Sequence, residues 1–472
     1  MVTDSRGHTP SNHGDDYDIV VLGMGPGGEN VAGRLAEAGL DVAGVEAGLI
    51  GGECAFWGCV PSKMMIRAAG LLAEARRVPG MAGSARVSPD WAPVARRVSG
   101  EATDGWNDTA KAELYERKGV HIVRGRGRIT GPGEVTVDGR VLRGRRGIVI
   151  ATSTAPAIPP IDGLAGTPYW TNREAVAAER VPPSLIVLGG GAVGCEFAQV
   201  FARFGAEVTV VEGAARLLPQ EEPEAGELLA RVFAGEGVGV HTGVTAAKAE
   251  HDGDGFALSL DGGPVLKAAN LLVATGRRTD LEAVGAAAAG LDESAAFVEV
   301  DGRMRAAEGI WAVGDVTGRG AYTHVAAYQG RIAARDILGE DGPAADYRAV
   351  PQVTFTDPEI ASVGLTEEQA RDRGLDVRVG FAPVAESARG WIHKAGNDGF
   401  VKLVEDRRRG VLAGAVSAGP AGGEVLGLLV VAVQNEIPVA RLRHMMYAYP
   451  TFHRAVEDAL EALGRPAADA DM

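Results

Sequence analysis

The chain has 472 residues, 46% of them hydrophobic, and a formal net charge of −15. That length suits roughly three globular domains with full cores, and the acidic balance argues against a nucleic-acid partner, which wants basic patches. Three cysteines are too few for a secreted disulfide framework, and no apolar run is long enough to span a bilayer, so a cytoplasmic protein without a membrane partner is expected.

In chain order, residues 1–14 are polar with no apolar signal core, which predicts a disordered tail. Residues 17–22 are an apolar, β-branched run, the pattern of a buried parallel strand. The turn Gly23-Met24-Gly25-Pro26-Gly27-Gly28 follows, then a predicted helix over 29–38 stopped by Gly39, then a strand over 41–45 ending at Glu46. The pattern returns with a strand over 185–188, the turn Gly189-Gly190-Gly191-Ala192-Val193-Gly194, a helix over 195–204 and a strand over 208–211 leading into Glu212. In both copies the first glycine precedes the acid by 23 positions (Gly23 to Glu46, Gly189 to Glu212). One such glycine pattern is a weak signal; two in matching strand–turn–helix–strand–acid settings are strong. Residues 148–153 and 271–276 are apolar runs that each end in a small trio, Ala151-Thr152-Ser153 and Ala274-Thr275-Gly276, and 309–315 is another strand ending at an acid, Asp315. From Val350 the character changes: strands over 352–356, 399–404 and 411–416 alternate with helices over 366–373 and 422–435, an α+β pattern. Proline-rich seams lie at 156–160, at 182–183 and before the last domain at Pro343.

The glycine turns carry dinucleotide chemistry. Gly23, Gly25 and Gly28 allow a tight turn and close approach of backbone to a pyrophosphate at a helix N-terminus, and Glu46 is placed to accept hydrogen bonds from a ribose. Gly189, Gly191, Gly194 and Glu212 repeat the arrangement. The acid at 212 favours NADH, since it repels a 2′-phosphate, although Arg216 four residues on offsets it in part. Between the copies lies Gly51-Gly52-Glu53-Cys54-Ala55-Phe56-Trp57-Gly58-Cys59-Val60-Pro61-Ser62-Lys63. Five residues of regular helix rise about 7.5 Å, beyond normal disulfide reach, so a Cys54–Cys59 bridge requires an irregular turn, which Gly58 permits. A strained pair is easily reduced, and a helix N-terminus favours a thiolate. Two unrelated buried cysteines, or a metal site in a segment without histidine, are the rival readings. Cys195 fits core packing. Lys63 is either solvated or, beside a flavin, a stabiliser of negative charge, with Glu196 as its ion-pair partner.

Taken together these motifs resemble the class I pyridine nucleotide-disulfide oxidoreductases, the flavoprotein disulfide reductases that include dihydrolipoamide dehydrogenase and mercuric reductase. The resemblance spans residues 15–465 and rests on the Cys-x4-Cys-Val-Pro-Ser-Lys segment with Ala274-Thr275-Gly276-Arg277, Ala312-Val313-Gly314-Asp315 and Thr356-Asp357-Pro358-Glu359-Ile360-Ala361-Ser362-Val363-Gly364. It implies an α/β fold with two Rossmann-like dinucleotide-binding domains and a C-terminal α+β dimerisation domain. FAD would sit in 15–156 with 275–348, NAD(P)H in 157–274, and the homodimer contact in 349–472. It further implies a Cys54–Cys59 redox disulfide, with Cys59 the flavin-side, charge-transfer thiol and Cys54 the interchange thiol. Asp315 would hold the ribityl chain, Lys63 and Glu196 would pair near the flavin, and Thr152 and Gly276 would belong to the cofactor sites.

The chain departs from the family pattern at its C-terminal end. His-Pro-Thr-x-x-Glu is usual there; this chain has Tyr449-Pro450-Thr451-Phe452-His453-Arg454. A missing general acid–base typically lowers rates by about 10²–10⁴-fold, and tyrosine, with an ordinary pKa of about 10, is a poor substitute near neutrality; His453 is a second candidate for the role. A tyrosine here resembles mercuric reductase and the soluble transhydrogenases, yet residues 467–472 lack the vicinal cysteines that deliver mercury. Phe56 and Trp57 add bulk within the cysteine loop, and Ser153 stands where the second trio has Gly276. The expectation is an FAD-dependent NAD(P)H oxidoreductase with Cys54, Cys59, Lys63, Glu196 and Tyr449 as catalytic residues and no metal ligands. Its acceptor would be a small-molecule thiol or disulfide of specialised kind, a metal ion or a quinone. The alternatives are a dithiol oxidase delivering electrons to oxygen or NAD⁺, and a non-catalytic FAD-binding subunit.

Overall fold

A computed structural model describes residues 15–464, so the readings of 1–14 and 467–472 fall outside the described residues. Strand β1 (Asp16–Leu22) is buried on both faces, with Ile19, Val20 and Val21 fully enclosed; each such side chain contributes about 1.5–3 kcal/mol of burial. It pairs in parallel with β2 (Val42–Glu46) on one side and with Arg140–Ile150 on the other. Helix α1 (Pro26–Glu37) begins earlier than the expected 29. Gly25 is its N-cap and Pro26 opens it, because proline's fixed φ suits the first helical position, where its missing N–H has no partner to lose. The glycine turn is therefore the first turn of the helix itself.

The chain gathers into two compact units. One contains the chain up to Cys54, Trp106–Ala155 and Arg278–Ala345; the other contains Ala55–Gly105, Pro156–Arg277 and the chain from Asp346 on. In the first unit the parallel strands run in the order Val120–Arg124, β2, β1, Arg140–Ile150 and Ile310–Ala312. In the second unit a four-stranded parallel sheet repeats that order with Gly239–Thr242, Glu207–Glu212, Ser184–Leu188 and Asn270–Val273. Both sheets thus place a glycine turn beyond the C-terminal end of a central strand, next to the strand that returns to its side, where open α/β sheets bind ligands.

The second unit also contains an antiparallel sheet of five strands in the order Pro351–Thr354, Glu359–Gly364, Val411–Gly419, Phe400–Asp406 and Val377–Pro383. Helices Gly422–Gln434 and Arg454–Ala462 cover it, burying Leu426, Leu429, Ala459 and Leu460 with Leu403 and Ala415. Lys402, 4% exposed, points from this sheet to Glu222, Glu224 and Glu367 at 2.9, 2.8 and 3.1 Å. Burial alone would lower the Lys402 ammonium's pKa; the three carboxylates reverse that and raise it. Helix α3 (Cys59–Arg77), preceded by α2 (Gly52–Phe56), packs along Ala192–Arg203 in this same unit. Among the described residues no helix is long and apolar enough to cross a membrane.

Candidate active site

The first glycine turn is closed by contact. A Cβ on Gly23 would lie 2.4 Å from the Ala151 carbonyl oxygen, directly before Thr152, and one on Gly28 would lie 1.9 Å from the Gly23 oxygen. At Gly25 a Cβ would meet nothing within 4 Å. The second turn reproduces these relations: 2.3 Å from Gly189 to the Ala274 oxygen, 2.0 Å from Gly194 to the Gly189 oxygen, and open space at Gly191. Gly25 and Gly191 cap their helices with no side-chain hydrogen bond, so each turn has open space at its cap residue, a positive helix end, and no side-chain cap on the first-turn N–H groups. That is the cradle an anionic pyrophosphate fits.

The acids complete the fit. Glu46 accepts from Met24 N at 2.8 Å and from Gly48 N at 2.7 Å, and Glu212 accepts from Gly190 N at 2.6 Å and Ala214 N at 2.7 Å. Each carboxylate is fixed at the strand end, where a ribose would meet it. Arg216 donates to the carbonyls of Pro219 and Glu221 at 3.1 and 3.2 Å, which directs it into its own loop.

Asp315 accepts from Ser153 Oγ at 3.1 Å and from Thr154 Oγ1 at 3.3 Å. Ser153 has φ +60°, and its counterpart Gly276 has φ +117°, so the departure from glycine keeps a left-handed backbone and gains a hydroxyl aimed at Asp315. The turn before Asp315 is set by Gln329, fully buried, which accepts from Gly314 N at 2.6 Å and donates to Thr317 Oγ1 at 2.9 Å. No motif marks Gln329; its mid-helix place in Thr323–Ile337 looks ordinary in sequence. Asp108 is a second such residue. It takes Ile50 N at 2.6 Å and both terminal nitrogens of Arg124, which holds the chain just before the cysteine segment.

Cys54 is half-buried in α2, and Cys59, exposed, is the first residue of α3. Helical structure is interrupted at Trp57 and Gly58, with Gly58 at φ −139°, ψ −108°. Cys59 and Lys63 are four apart on α3 and share a face. Lys63 Nζ meets Glu196 Oε2 at 2.8 Å, and the Glu196 side chain is 8% exposed. Its other oxygen accepts Phe355 N at 2.9 Å, and the Lys63 ammonium stands 4.7 Å from the Phe355 ring centre. Beyond this pair, Arg203 bridges Glu236 and Asp357, and Arg77 also reaches Asp357 at 2.7 Å. Cys195 is fully buried with its thiol on the Gly190 carbonyl at 3.2 Å, and burial pushes that thiol's pKa far up.

Tyr449 is 72% exposed. The Arg454 guanidinium lies 5.7 Å from its ring centre and pairs with Glu457 at 2.6 Å. His453 is the residue before the helix Arg454–Ala462. No hydrogen bond joins Tyr449 to Lys63 or Glu196. Among the described residues no group of three His, Cys, Asp or Glu gathers as a metal site.

Residues 17–330 match the family described as pyridine nucleotide-disulphide oxidoreductase, and 350–460 match that family's dimerisation domain. The dihydrolipoyl dehydrogenase of Thermus scotoductus is 34% identical over 96% of this chain and 98% of its own length. The mercuric reductase of Acidithiobacillus ferrooxidans is 33% identical over 98% of this chain and 85% of its own. Among solved structures, LpdA from Mycobacterium tuberculosis aligns with a TM-score of 0.83 at 29% identity, covering 94% of this chain and 99% of that one. The HOCl-induced flavoprotein disulfide reductase RclA from Escherichia coli aligns with a TM-score of 0.81 at 27% identity, covering 95% and 99%. With two matched dinucleotide turns, a cysteine pair whose second member opens a helix and family matches that together span most of the chain, the chain belongs to the pyridine nucleotide-disulphide oxidoreductases, enzymes that use FAD and NAD(P)H.

Proposed function

We propose that the protein is an NADH-preferring oxidoreductase that relays electrons through a redox-active Cys54–Cys59 pair to an acceptor other than lipoamide or glutathione disulfide. It works as a homodimer, with FAD in 15–156 and 275–348 and the nicotinamide in 157–274. Bound FAD supplies the two-electron chemistry that a nicotinamide and a dithiol have in common. Gly23, Gly25 and Gly28 with Glu46 would hold the FAD dinucleotide, Asp315 its ribityl chain, and Gly189, Gly191, Gly194 and Glu212 the NADH.

Reduction of the pair breaks one S–S bond, takes up two electrons and one proton, and leaves one thiolate and one thiol. Cys59 keeps the thiolate, because it opens a 19-residue helix and has the Lys63 ammonium one turn along the same face. Glu196 fixes that ammonium, and Phe355 N fixes Glu196. Cys54 is the thiol that meets the acceptor. The observation that carries the reading is the Lys63–Glu196 pair at 2.8 Å on the helix that Cys59 begins, which keeps a cation one turn from that thiol. The choice of acceptor follows from Tyr449 and Arg454, which stand where the family pattern has an imidazole and a carboxylate. Exchange with an ordinary disulfide needs an acid to protonate the leaving thiolate, and a metal ion, a quinone or a disulfide with a good leaving group relaxes that need.

Anaerobic reduction of the purified yellow protein by NADH and NADPH, then an acceptor panel, tests this. The panel holds lipoamide, glutathione disulfide, low-molecular-weight disulfides, mercuric ion, quinones and oxygen. NADH is expected to reduce the flavin faster than NADPH, with lipoamide and glutathione disulfide the poorest acceptors. Lipoamide turnover matching the best acceptor refutes the acceptor class, and full activity in Cys54→Ser and Cys59→Ser refutes the relay.

A further inference from the structure

The gap between α2 and α3 is filled by Trp57 and Gly58, and Trp57 is held both at its carbonyl and at its ring. Its carbonyl accepts from Asn172 Nδ2 at 2.8 Å. Its ring lies 5.4 Å from the Arg173 guanidinium, and tryptophan is the ring that attracts such a cation most strongly. A helix leaves its last carbonyls without internal partners, and at the end of α2 the Asn172 amide supplies one.

Both holding residues sit on a stiff support. They open the short helix Asn172–Val176, whose cap Thr171 accepts Arg173 N at 3.2 Å while its own N–H donates to Glu174 Oε2 at 2.7 Å. One residue earlier, Trp170 donates to the Leu271 carbonyl at 2.7 Å and accepts from Val273 N at 2.8 Å. Asn172 and Arg173 are thus tied to Asn270–Val273, the edge strand of the second parallel sheet.

We propose that Asn172 and Arg173 are positioning residues that act through Trp57 to fix the seat of Cys59 at the start of α3. Gly58 is the cap of α3 and Cys59 its first residue, so the place of Trp57 decides where the helix begins. When the strap is released, the first turn frays and Cys59 loses the favourable helix end. Cys59 is already exposed, so greater access adds little, and the loss of thiolate character governs its reactivity. The large residue in the cysteine loop is then the handle by which a neighbouring rigid element grips that loop.

The consequence for electron transfer rests on the redox role proposed for Cys59, but the test reads the thiol itself, so the two fail separately. Flavin-loaded full chain carrying Cys54→Ser leaves Cys59 as the reactive thiol, since Cys195 is buried. Its alkylation by iodoacetamide is timed at pH 7. Arg173→Ala and Asn172→Ala should each slow it about three- to tenfold. Arg173→Lys should restore part of the rate and Arg173→Met, of similar length but uncharged, none. Trp57→Leu should match Arg173→Ala, and the double variant should be no slower than either. Wild-type rates in Arg173→Ala and Asn172→Ala at normal flavin content overturn the proposal, as does equality of Lys and Met at 173 or full additivity with Trp57→Leu. Should Arg173→Ala not accumulate as folded protein, the Lys and Met pair decides.

Discussion

Removing the Glu196 carboxylate should be among the most damaging single changes in the second unit that leave its apolar core untouched. Glu196 is 6% exposed and accepts from both Lys63 Nζ and Phe355 N. In Glu196→Ala the Phe355 N–H loses its acceptor, which costs about 1–3 kcal/mol where water does not replace it. Breaking a buried ion pair costs about 3–5 kcal/mol, but the Lys63 side chain is 34% exposed, so its ammonium regains water and that contribution shrinks to about 1 kcal/mol. The sum is about 2–4 kcal/mol. Glu196→Gln keeps an oxygen for Phe355 N and should cost about 1–2 kcal/mol. Urea unfolding of the flavin-loaded protein, followed through its first transition, measures both. A cycle with Lys63→Ala should give a coupling of at least about 0.5–1 kcal/mol. Equal stability of Glu196→Ala and Glu196→Gln, or a cycle without coupling, would refute this role of the Glu196 carboxylate.

Two glycine substitutions in the first turn should separate folding from cofactor retention. Gly28→Ala drives a Cβ to 1.9 Å from a carbonyl oxygen and should yield flavin-free or insoluble protein. Gly25→Ala has room and an allowed φ of −79°, so the protein should fold normally while flavin affinity, read by equilibrium dialysis, falls about tenfold because the methyl group occupies phosphate space. Glu212→Gln keeps the shape of the strand end and removes its charge; the preference for NADH over NADPH in kcat/KM should narrow roughly tenfold. Asp108 yields a pH prediction. Burial would raise its carboxyl, but Arg124 and Ile50 N more than offset that and leave its pKa lowered. Its stabilisation is therefore complete above the unfolded carboxyl's pKa of about 3.9 and is lost as pH falls through the lower folded value. The stability of wild type and Asp108→Asn should differ by a constant amount above about pH 4, with wild type the more stable, and the gap should close progressively as pH falls below that.

Much of this arrangement is readable from residue order, and the parts that are share a physical basis. Gly28 and Gly194 meet backbone within a few residues of themselves, so they declare those contacts with no knowledge of the fold, whereas the carbonyls that crowd Gly23 and Gly189, those of Ala151 and Ala274, belong to a distant strand end. Helix α1 begins three residues sooner than the apolar pattern suggests because Pro26 and the turn supply its first turn, and hydrophobic periodicity is silent where no side chain faces the core. Lys63 and Glu196 are 133 positions apart, and the sequence offers their pairing only as one of two readings of the lysine, the other being a solvated ammonium. Gln329, Asp108, Asn172 and Arg173 carry no signal at all. Each is a polar residue whose importance comes from partners outside its own element, and such partners are invisible until the chain is folded. Ser153 reads in the sequence as a loss of glycine, while its hydroxyl's bond to Asp315, 162 positions away, turns the loss into a replacement.

The ammonium of Lys402 among Glu222, Glu224 and Glu367 has a consequence for anyone recombining these enzymes. Its carboxylates come from two stretches of chain far apart in sequence; without Lys402 the buried Glu222 carboxylate is stranded, and without Glu222 and Glu224 the buried ammonium keeps only the partly exposed Glu367. A chimera that takes its nucleotide-binding segment from one homologue and its C-terminal sheet from another must inherit positions 222, 224, 367 and 402 as one set.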